Sequence, residues 1–147
     1  MDRVSQSARS RIMSLVKSAH GRTTERRLRA HLVCHGISGW AMNERRLPGK
    51  PDFVFREVRL IIFVDGCFWH GCTRCKRPPK TNVSFWTDKV RTNQRRDKKV
   101  TAVLRREGWI VIRVKECDLR DVKRTRRILM KIERLSANPK KRHQHAA

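Results

Sequence analysis

Two acidic residues at the ends of neighbouring apolar runs are the first candidates for chemistry in this chain. Asp52 precedes the run at 53–55, and Asp65 follows the run at 60–64. Both runs are rich in Val, Ile and Phe and flank a short polar connection, which predicts a β-hairpin of buried strands. The start of one antiparallel strand lies beside the end of the next, so both carboxylates are expected at one sheet edge. Two oxygen ligands there would suit Mg²⁺, although Pro-Asp and Asp-Gly are also common turn dipeptides, which leaves a structural role open.

A histidine and a helical acid could complete such a site. His70 follows Asp65 closely in the chain, and it is a potential base because histidine ionises near neutral pH. A helix is predicted from residue 23 or 24 to about residue 35, between a Thr N-cap and a Gly stop. Glu25 is spaced three and seven residues from Leu28 and Leu32, so its carboxylate lies in line with core-facing leucines. The alternative for Glu25 is a favourable interaction with the helix dipole alone.

The longest predicted helix, from about Val83 to Glu107, carries two polar residues on its inward face. This face steps by three and four residues through Val83, Trp86, Val90, Asn93, Asp97, Val100 and Leu104. Burying Asn93 and Asp97 among apolar side chains would cost free energy without partners, so both are expected to border a polar site. A salt bridge from Asp97 to a neighbouring Arg is the alternative. The opposite face is basic and suits phosphate contact or solvent, through Lys89, Arg91, Arg95, Lys98 and Lys99.

Four of the five cysteines suggest a structural zinc site, which usually has four ligands. They are Cys67, Cys72, Cys75 and Cys117. The Cys72-x-x-Cys75 pair has the spacing of half such a site, and Cys117 lies just past a predicted strand at 109–114. Buried thiols without a metal, or His70 in place of one cysteine, are the alternatives. The fifth cysteine, Cys34, is expected to be a small buried residue on an apolar helix face.

The charge of the chain points to a polyanionic partner. Thirty-seven Lys and Arg residues oppose thirteen Asp and Glu residues, which gives a formal net charge of +24. Nucleic acid is the usual partner of so basic a protein. No apolar run approaches the length of a membrane span, and the N-terminus lacks the apolar core of a secretory signal. We therefore expect a cytoplasmic, nucleoid-associated protein that does not bind membranes.

The order of predicted elements indicates an α/β sandwich around a mixed sheet. Residues 1–22 are expected to form a basic arm with a short helix, residues 23–135 one domain, and residues 136–147 a disordered basic tail. Residues 36–50 are predicted as a loop. The last helix is predicted from Leu119 to Leu135, with apolar residues Val122, Ile128, Leu129, Ile132 and Leu135.

Three motifs together resemble the very short patch repair (Vsr) endonucleases. They are Pro51-Asp52, the run Phe63-Val64-Asp65-Gly66-Cys67-Phe68-Trp69-His70-Gly71-Cys72, and Lys115-Glu116-Cys117. The resemblance covers about residues 8–135. It implies a restriction-endonuclease-like mixed β-sheet flanked by helices, with a structural zinc loop. It also implies a Mg²⁺-dependent, monomeric DNA endonuclease that nicks one strand of double-stranded DNA beside a T:G mismatch from deaminated 5-methylcytosine, which starts repair.

Carried over position by position, the resemblance assigns a role to each candidate residue. Asp52 and the backbone carbonyl of Val64 bind the catalytic Mg²⁺, and His70 is the general base. Glu25 and Asp97 orient water molecules around the metal. The aromatic residues that wedge into the duplex are Phe68, Trp69 and Trp86, and the apolar residues that enter from the opposite groove are Met13 and Val16. The structural zinc ligands are Cys67, Cys72, Cys75 and Cys117.

The chain departs from the family pattern at the second acid. Where the best-known motif has Thr-His-Gly, this chain has Val64-Asp65-Gly66. Asp65 either binds metal directly or replaces the hydrogen bond of that histidine to a water of the metal. The usual restriction-fold lysine would fall at Cys67 and is absent, so either His70 takes over its task or the enzyme is slow. A restriction-type or other site-specific nickase, and a zinc-stapled DNA-binding protein without catalysis, remain the alternative functions.

Overall fold

The computed structural model describes residues 23–75 and 79–137. The predictions for the basic arm at 1–22, with Met13 and Val16, and for residues 138–147 of the tail lie outside the described residues. Among the helices that are described, none combines the length and the apolar character that crossing a bilayer requires.

A four-stranded mixed sheet forms the centre of the described fold. Its strands, in spatial order, are β1 (Ala41–Met42), β2 (Phe53–Phe55), β3 (Leu60–Asp65) and β4 (Ile110–Lys115). Strands β1, β2 and β3 pair antiparallel, and β4 pairs parallel to β3, so the predicted hairpin and mixed sheet are confirmed. Strand β1 lies within the stretch predicted as a loop. Two residues are too few to show an alternating pattern, and only pairing with β2 makes them a strand.

Three α-helices flank the sheet in the described chain. Helix α1 spans residues 23–34, α2 spans Val83–Arg106 and α3 spans Val122–Ser136. The predicted start of the last helix at Leu119 is wrong, because Glu116–Arg120 forms a separate 3₁₀ helix. Asp121 then caps α3 by accepting a hydrogen bond from the backbone N–H of Arg124 at 2.9 Å. Val122, expected among the apolar contacts of this helix, is 84% exposed.

The two faces of the sheet bury separate cores. On one face, α1 and α3 pack through Leu28, Leu32, Leu129 and Ile132 against alternate strand residues. On the other face, Leu104 of α2 packs against the remaining residues, which are Val54, Ile61, Phe63 and Val111. Side chains alternate along a strand, so each strand supplies both cores.

The same alternation directs three charged side chains toward α2. Asp52 is two residues from Val54, Asp65 is two from Phe63, and Arg113 is two from Val111. All three lie at the sheet end where β2 begins and where β3 and β4 finish. The fold therefore gathers charge at one end of the α2-facing surface.

Candidate active site and cysteine cluster

The parallel pairing of β3 and β4 brings two loops together. Asp65 is the register partner of Lys115 at the ends of these strands. The chain keeps this offset beyond the sheet, where the backbone N–H of Cys117 donates to Sγ of Cys67 at 3.3 Å. Arg74 Nη2 also lies 2.6 Å from Asp118 Oδ1, which joins the loop after β3 to the 3₁₀ helix after β4.

The four cysteines predicted as a set form a cluster that could hold a metal ion. Their Sγ atoms all lie within 4.8 Å of one another. Burial raises the pKa of Cys67. It also acts to raise the pKa of Cys72, but hydrogen bonds from the backbone N–H groups of Cys75 and Arg74 and from the side chains of Cys117 and Cys75 together outweigh it and lower that pKa to about 6. The predicted burial of Cys34 is wrong, because this residue is exposed on α1; it stands apart from the cluster, as expected.

Asp52 is a partly buried carboxylate close to other acids. Its Oδ2 accepts a hydrogen bond of 2.6 Å from the backbone N–H of Val64. Burial, together with hydrogen bonding and repulsion from Glu25 and repulsion from Asp65, raises the pKa of Asp52 to about 7 despite the hydrogen bond from Val64. The carboxylate would therefore be stabilised by a cation. The expected placement of both strand acids at one sheet end is confirmed, and the structure also places Glu25 beside Asp52.

Asp65, Asp97 and His70 form a second group, joined by Arg113. The ligand atoms of these two acids and of His70 lie within 4.8 Å of one another. His70 Nδ1 is 2.5 Å from Asp97 Oδ2, and its Nε2 is 3.7 Å from Asp65 Oδ1. Arg113 donates from Nε and Nη2 to the two oxygens of Asp65, each at 2.7 Å. This fork is the strong bidentate form of an Arg–carboxylate pair.

Asp97 borders a polar site and also forms a salt bridge, so both interpretations of this residue apply. It contacts His70 at the polar site, and its Oδ1 lies 3.3 Å from Arg113 and 3.4 Å from Arg96. The salt bridge that was the alternative interpretation is thus present within the site itself.

Helix α2 also holds the loop that carries His70. Asn93, which is 4% exposed, donates from Nδ2 to the carbonyl of Trp69 at 3.0 Å. Gln94 donates from Nε2 to the carbonyl of His70 at 3.1 Å. Gly71 has φ +59°, and a Cβ there would lie 2.6 Å from Val90 Cγ1, so a side chain does not fit. The prediction that Asn93 borders a polar site is confirmed.

An aromatic cluster lies beside this loop. The rings of Phe68, Trp69 and Trp86 are in mutual edge contact, with centroids 5.3 to 5.8 Å apart. Phe85 extends the cluster, with its centroid 5.2 Å from that of Trp86, and is 53% exposed. The basic residues predicted on the outer face of α2 are all exposed, namely Lys89, Arg91, Arg95, Lys98 and Lys99.

Arg113 and Phe85 lie outside the set of residues that the sequence predicts for the site. The available signal for Arg113 was a charged residue inside the otherwise apolar run at 110–114, since charge in a buried strand requires a partner. Phe85 lies off the face defined by three- and four-residue steps, so the pattern gave it no role.

Comparison with known proteins found a matching family and several similar enzymes. Residues 1–77 match the family described as DNA mismatch endonuclease Vsr. The type II nicking enzyme V.XorIIP of Xanthomonas oryzae pv. oryzae is 39% identical over 123 residues, which cover 82% of this chain and 88% of that enzyme. The DNA mismatch endonuclease Vsr of Escherichia coli is 41% identical over 98 residues, which cover 65% of this chain and 62% of that protein. The type II nicking enzyme V.HpaIIP of Haemophilus parainfluenzae is 34% identical, with coverage of 77% and 81%.

The raised pKa of Asp52 predicts a pH-dependent stability difference. Between about pH 4 and pH 7 the folded protein binds a proton that the unfolded chain has lost, so the stability from protonated Asp52 is lost as pH rises through 7. In buffer without added divalent ions, the free energy of unfolding of Asp52→Asn should rise relative to that of the wild type by roughly 2 to 4 kcal/mol when the pH is raised from about 5 to about 8. Urea unfolding of both proteins at pH 5 and at pH 8 measures this free-energy difference. Asp88→Asn, at a side chain 75% exposed, is the control, and an equal difference at both pH values for Asp52→Asn would contradict the prediction.

Proposed function

Because this chain belongs to the Vsr family of DNA mismatch endonucleases, we propose that it nicks one strand of duplex DNA beside a T:G mismatch. The chain is a DNA endonuclease, and the mismatch, the cofactors and the residue roles below are our proposal. The observation that carries it is that Asp52 neighbours Asp65, which groups with His70 and Asp97 at one end of the sheet, in a protein of net charge +24. The fold we propose is accordingly the restriction-endonuclease-like one.

We assign Mg²⁺ to Asp52 and the backbone carbonyl of Val64. Asp52 fits this role because its carboxylate is partly buried and repelled by Glu25 and Asp65, so that a hard cation would relieve unfavourable charge. When bound, Mg²⁺ would neutralise charge on the scissile phosphate and lower the pKa of a water molecule. Glu25 and Asp97 then supply oxygens that orient water around this position.

We assign the role of general base to His70. Its Nδ1 contacts Asp97 at 2.5 Å, a partner that favours the tautomer with the proton on Nδ1. Nε2 of that tautomer accepts a proton, and it lies 3.7 Å from Asp65, too far for a hydrogen bond. The proton of the attacking water would therefore pass to Nε2. The hydrogen bonds from Asn93 and Gln94 hold the backbone of this loop and so restrict the position of the imidazole.

The aromatic cluster is suited to selecting the mismatch. Inserting Phe68, Trp69 and Trp86 into the duplex would unstack a base step, at a cost of a few kcal/mol that is least where pairing is already weak. A T:G pair would therefore accept the wedge more readily than a T:A pair. The exposed Lys and Arg residues of α2 would contact phosphates without regard to sequence.

Zinc is the metal we propose for the cysteine cluster. Four sulfur atoms about 2.3 Å from a tetrahedral zinc are about 3.8 Å apart. The Sγ atoms of Cys72 and Cys117 are 3.7 Å apart, which fits this geometry. Bound there, zinc would tie the loop of His70 to the 3₁₀ helix that follows β4.

The first prediction of this proposal concerns nicking of matched and mismatched duplexes. The wild type with Mg²⁺ should nick a duplex with one T:G pair in preference to its T:A counterpart, and Asp52→Ala should lower the rate by about 10³-fold. Asp88→Ala, which removes an exposed acid on α2, should keep the wild-type rate. End-labelled strands on denaturing gels measure the cut. Equal nicking of both duplexes would instead indicate another site-specific nickase, and binding without cutting in every variant would indicate a DNA-binding protein.

A second prediction tests the wedge. Trp69→Ala should reduce the T:G over T:A rate ratio by roughly 5- to 150-fold, because stacking of a base on an aromatic ring contributes about 1 to 3 kcal/mol. Trp109→Ala is a matched control, since this residue precedes β4 at the opposite end of the sheet and stacks with Arg59. The control should retain the ratio even if it lowers stability. An unchanged ratio in Trp69→Ala would refute the wedge.

A third prediction tests the zinc assignment. Purified wild type should contain about one zinc per chain, and Cys75→Ser should lose it and lower the Tm by roughly 10 °C or more. Cys34→Ser should retain both properties because Cys34 is exposed and outside the cluster. Elemental analysis and thermal unfolding measure these quantities. A wild type without zinc would show that the cysteines are structural thiols, and full zinc content and Tm in Cys75→Ser would show that Cys75 is not a ligand.

A further inference from the structure

Arg113 connects the two carboxylates that flank His70. It lies on the α2-facing side of β4, and its Cζ is 4.7 Å from the centroid of Phe63. Two of its nitrogens bond both oxygens of Asp65 at 2.7 Å, and Nη2 is also 3.3 Å from Asp97 Oδ1. The side chains of Arg113, Asp65 and Asp97 are only 23%, 10% and 15% exposed. Solvent screens such a partly buried network less than it screens surface pairs.

We propose that Arg113 is a positioning residue that clamps Asp65 and Asp97 and keeps Asp65 out of the ligand set of the catalytic metal. This proposal rests on the proposed nuclease function and deepens it. The sequence left two roles open for Asp65, namely binding the metal or bonding a water of the metal. We assign it a third role, in which Asp65 anchors the guanidinium of Arg113.

The geometry separates Asp65 from Asp52. Both oxygens of Asp65 face a permanent positive charge, which neutralises the carboxylate and would repel a second cation nearby. Asp52 lacks such a fork: a backbone N–H and the acids Glu25 and Asp65 act on its carboxylate, and Arg113 acts on it through charge alone, without a hydrogen bond. A divalent cation would therefore bind at Asp52 in preference to Asp65.

The clamp also affects the base. Asp97 offers Oδ2 to His70 Nδ1 and Oδ1 to Arg113, with the exposed Arg96 3.4 Å from the same oxygen, so these contacts together fix the rotation of its carboxylate. Without Arg113, Asp97 could turn, and Asp65 would become a free carboxylate beside Nε2 of His70. The catalytic rate should then fall although His70 is intact.

Metal binding without DNA tests the clamp independently of nicking. Ca²⁺ is titrated calorimetrically into the full-length, zinc-loaded protein and into Arg113→Met, Arg113→Lys, Asp65→Asn and the double variant Arg113→Met/Asp65→Asn. Arg113→Met should bind Ca²⁺ about tenfold more tightly because Asp65 becomes available as a ligand, and the double variant should return to within about twofold of the wild type. Arg113→Lys keeps the charge without the fork and should lie between the wild type and Arg113→Met.

Asp65→Asn provides a test that does not require Arg113→Met to fold. If Asp65 is clamped, this variant should bind Ca²⁺ within about twofold of the wild type, whereas Asp52→Asn should bind it at least about tenfold more weakly. A tenfold loss in Asp65→Asn would make Asp65 a metal ligand and overturn the proposal. Unchanged or weaker Ca²⁺ binding in folded Arg113→Met would also overturn it.

Nicking kinetics supply the second readout. Arg113→Met should lower kcat by about 10- to 100-fold with little change in KM, and Arg113→Lys should recover part of the loss. Tighter Ca²⁺ binding combined with slower nicking cannot arise from general damage to the fold, because such damage would lower both the Ca²⁺ affinity and the nicking rate. If the predicted Ca²⁺ pattern appears but no T:G duplex is cut, the clamp stands and the proposed function fails.

Discussion

The parallel pairing of β3 with β4 is the constraint on which the rest of the structure depends. These strands are joined through α2, and their register places Asp65 beside Lys115. The next residues inherit this alignment, so Cys67 meets Cys117 and two distant loops contribute to one cysteine cluster. A slip of one residue in β4 would turn Arg113 away from α2 and into the opposite core, because side chains alternate along a strand. One backbone register thus positions both the charged network and the cysteine cluster.

Different parts of helix α2 contact the hydrophobic core and the candidate site. Near its end, Leu104 is fully buried against the sheet, whereas in its middle Asn93 and Gln94 hold the loop of His70. Near its start, Phe85 and Trp86 leave the core and extend the aromatic cluster. Few of its side chains are buried, so contacts with the sheet and with the loop determine where this long helix lies.

Charge at the site is balanced by contacts that are distant in sequence. A partly buried acid costs free energy unless a cation or donor faces it. Arg113 meets this requirement for Asp65, whereas burial and the neighbouring acids raise the pKa of Asp52 to about 7. The two strand acids have the same type and lie at the same sheet end, yet their surroundings distinguish them. A basic exterior and a locally acidic site are compatible because the acids are buried or partly buried at one end of the sheet, whereas the basic residues lie on the exposed face of α2.

The amino-acid sequence by itself determined the elements with strong local signals and the set of chemical groups. Apolar runs and three- to four-residue steps located the hairpin and placed α2 within one residue of its observed end, and cysteine spacing identified the cluster. Strand β1, the late start of α3, the exposure of Cys34 and the partnership of Arg113 depended on the tertiary structure. The spacing of apolar residues in the sequence indicates which face of its own helix or strand a residue occupies. Pairing with another strand, a cap that competes with helix extension, and a partner 48 residues away are decided only when the elements pack.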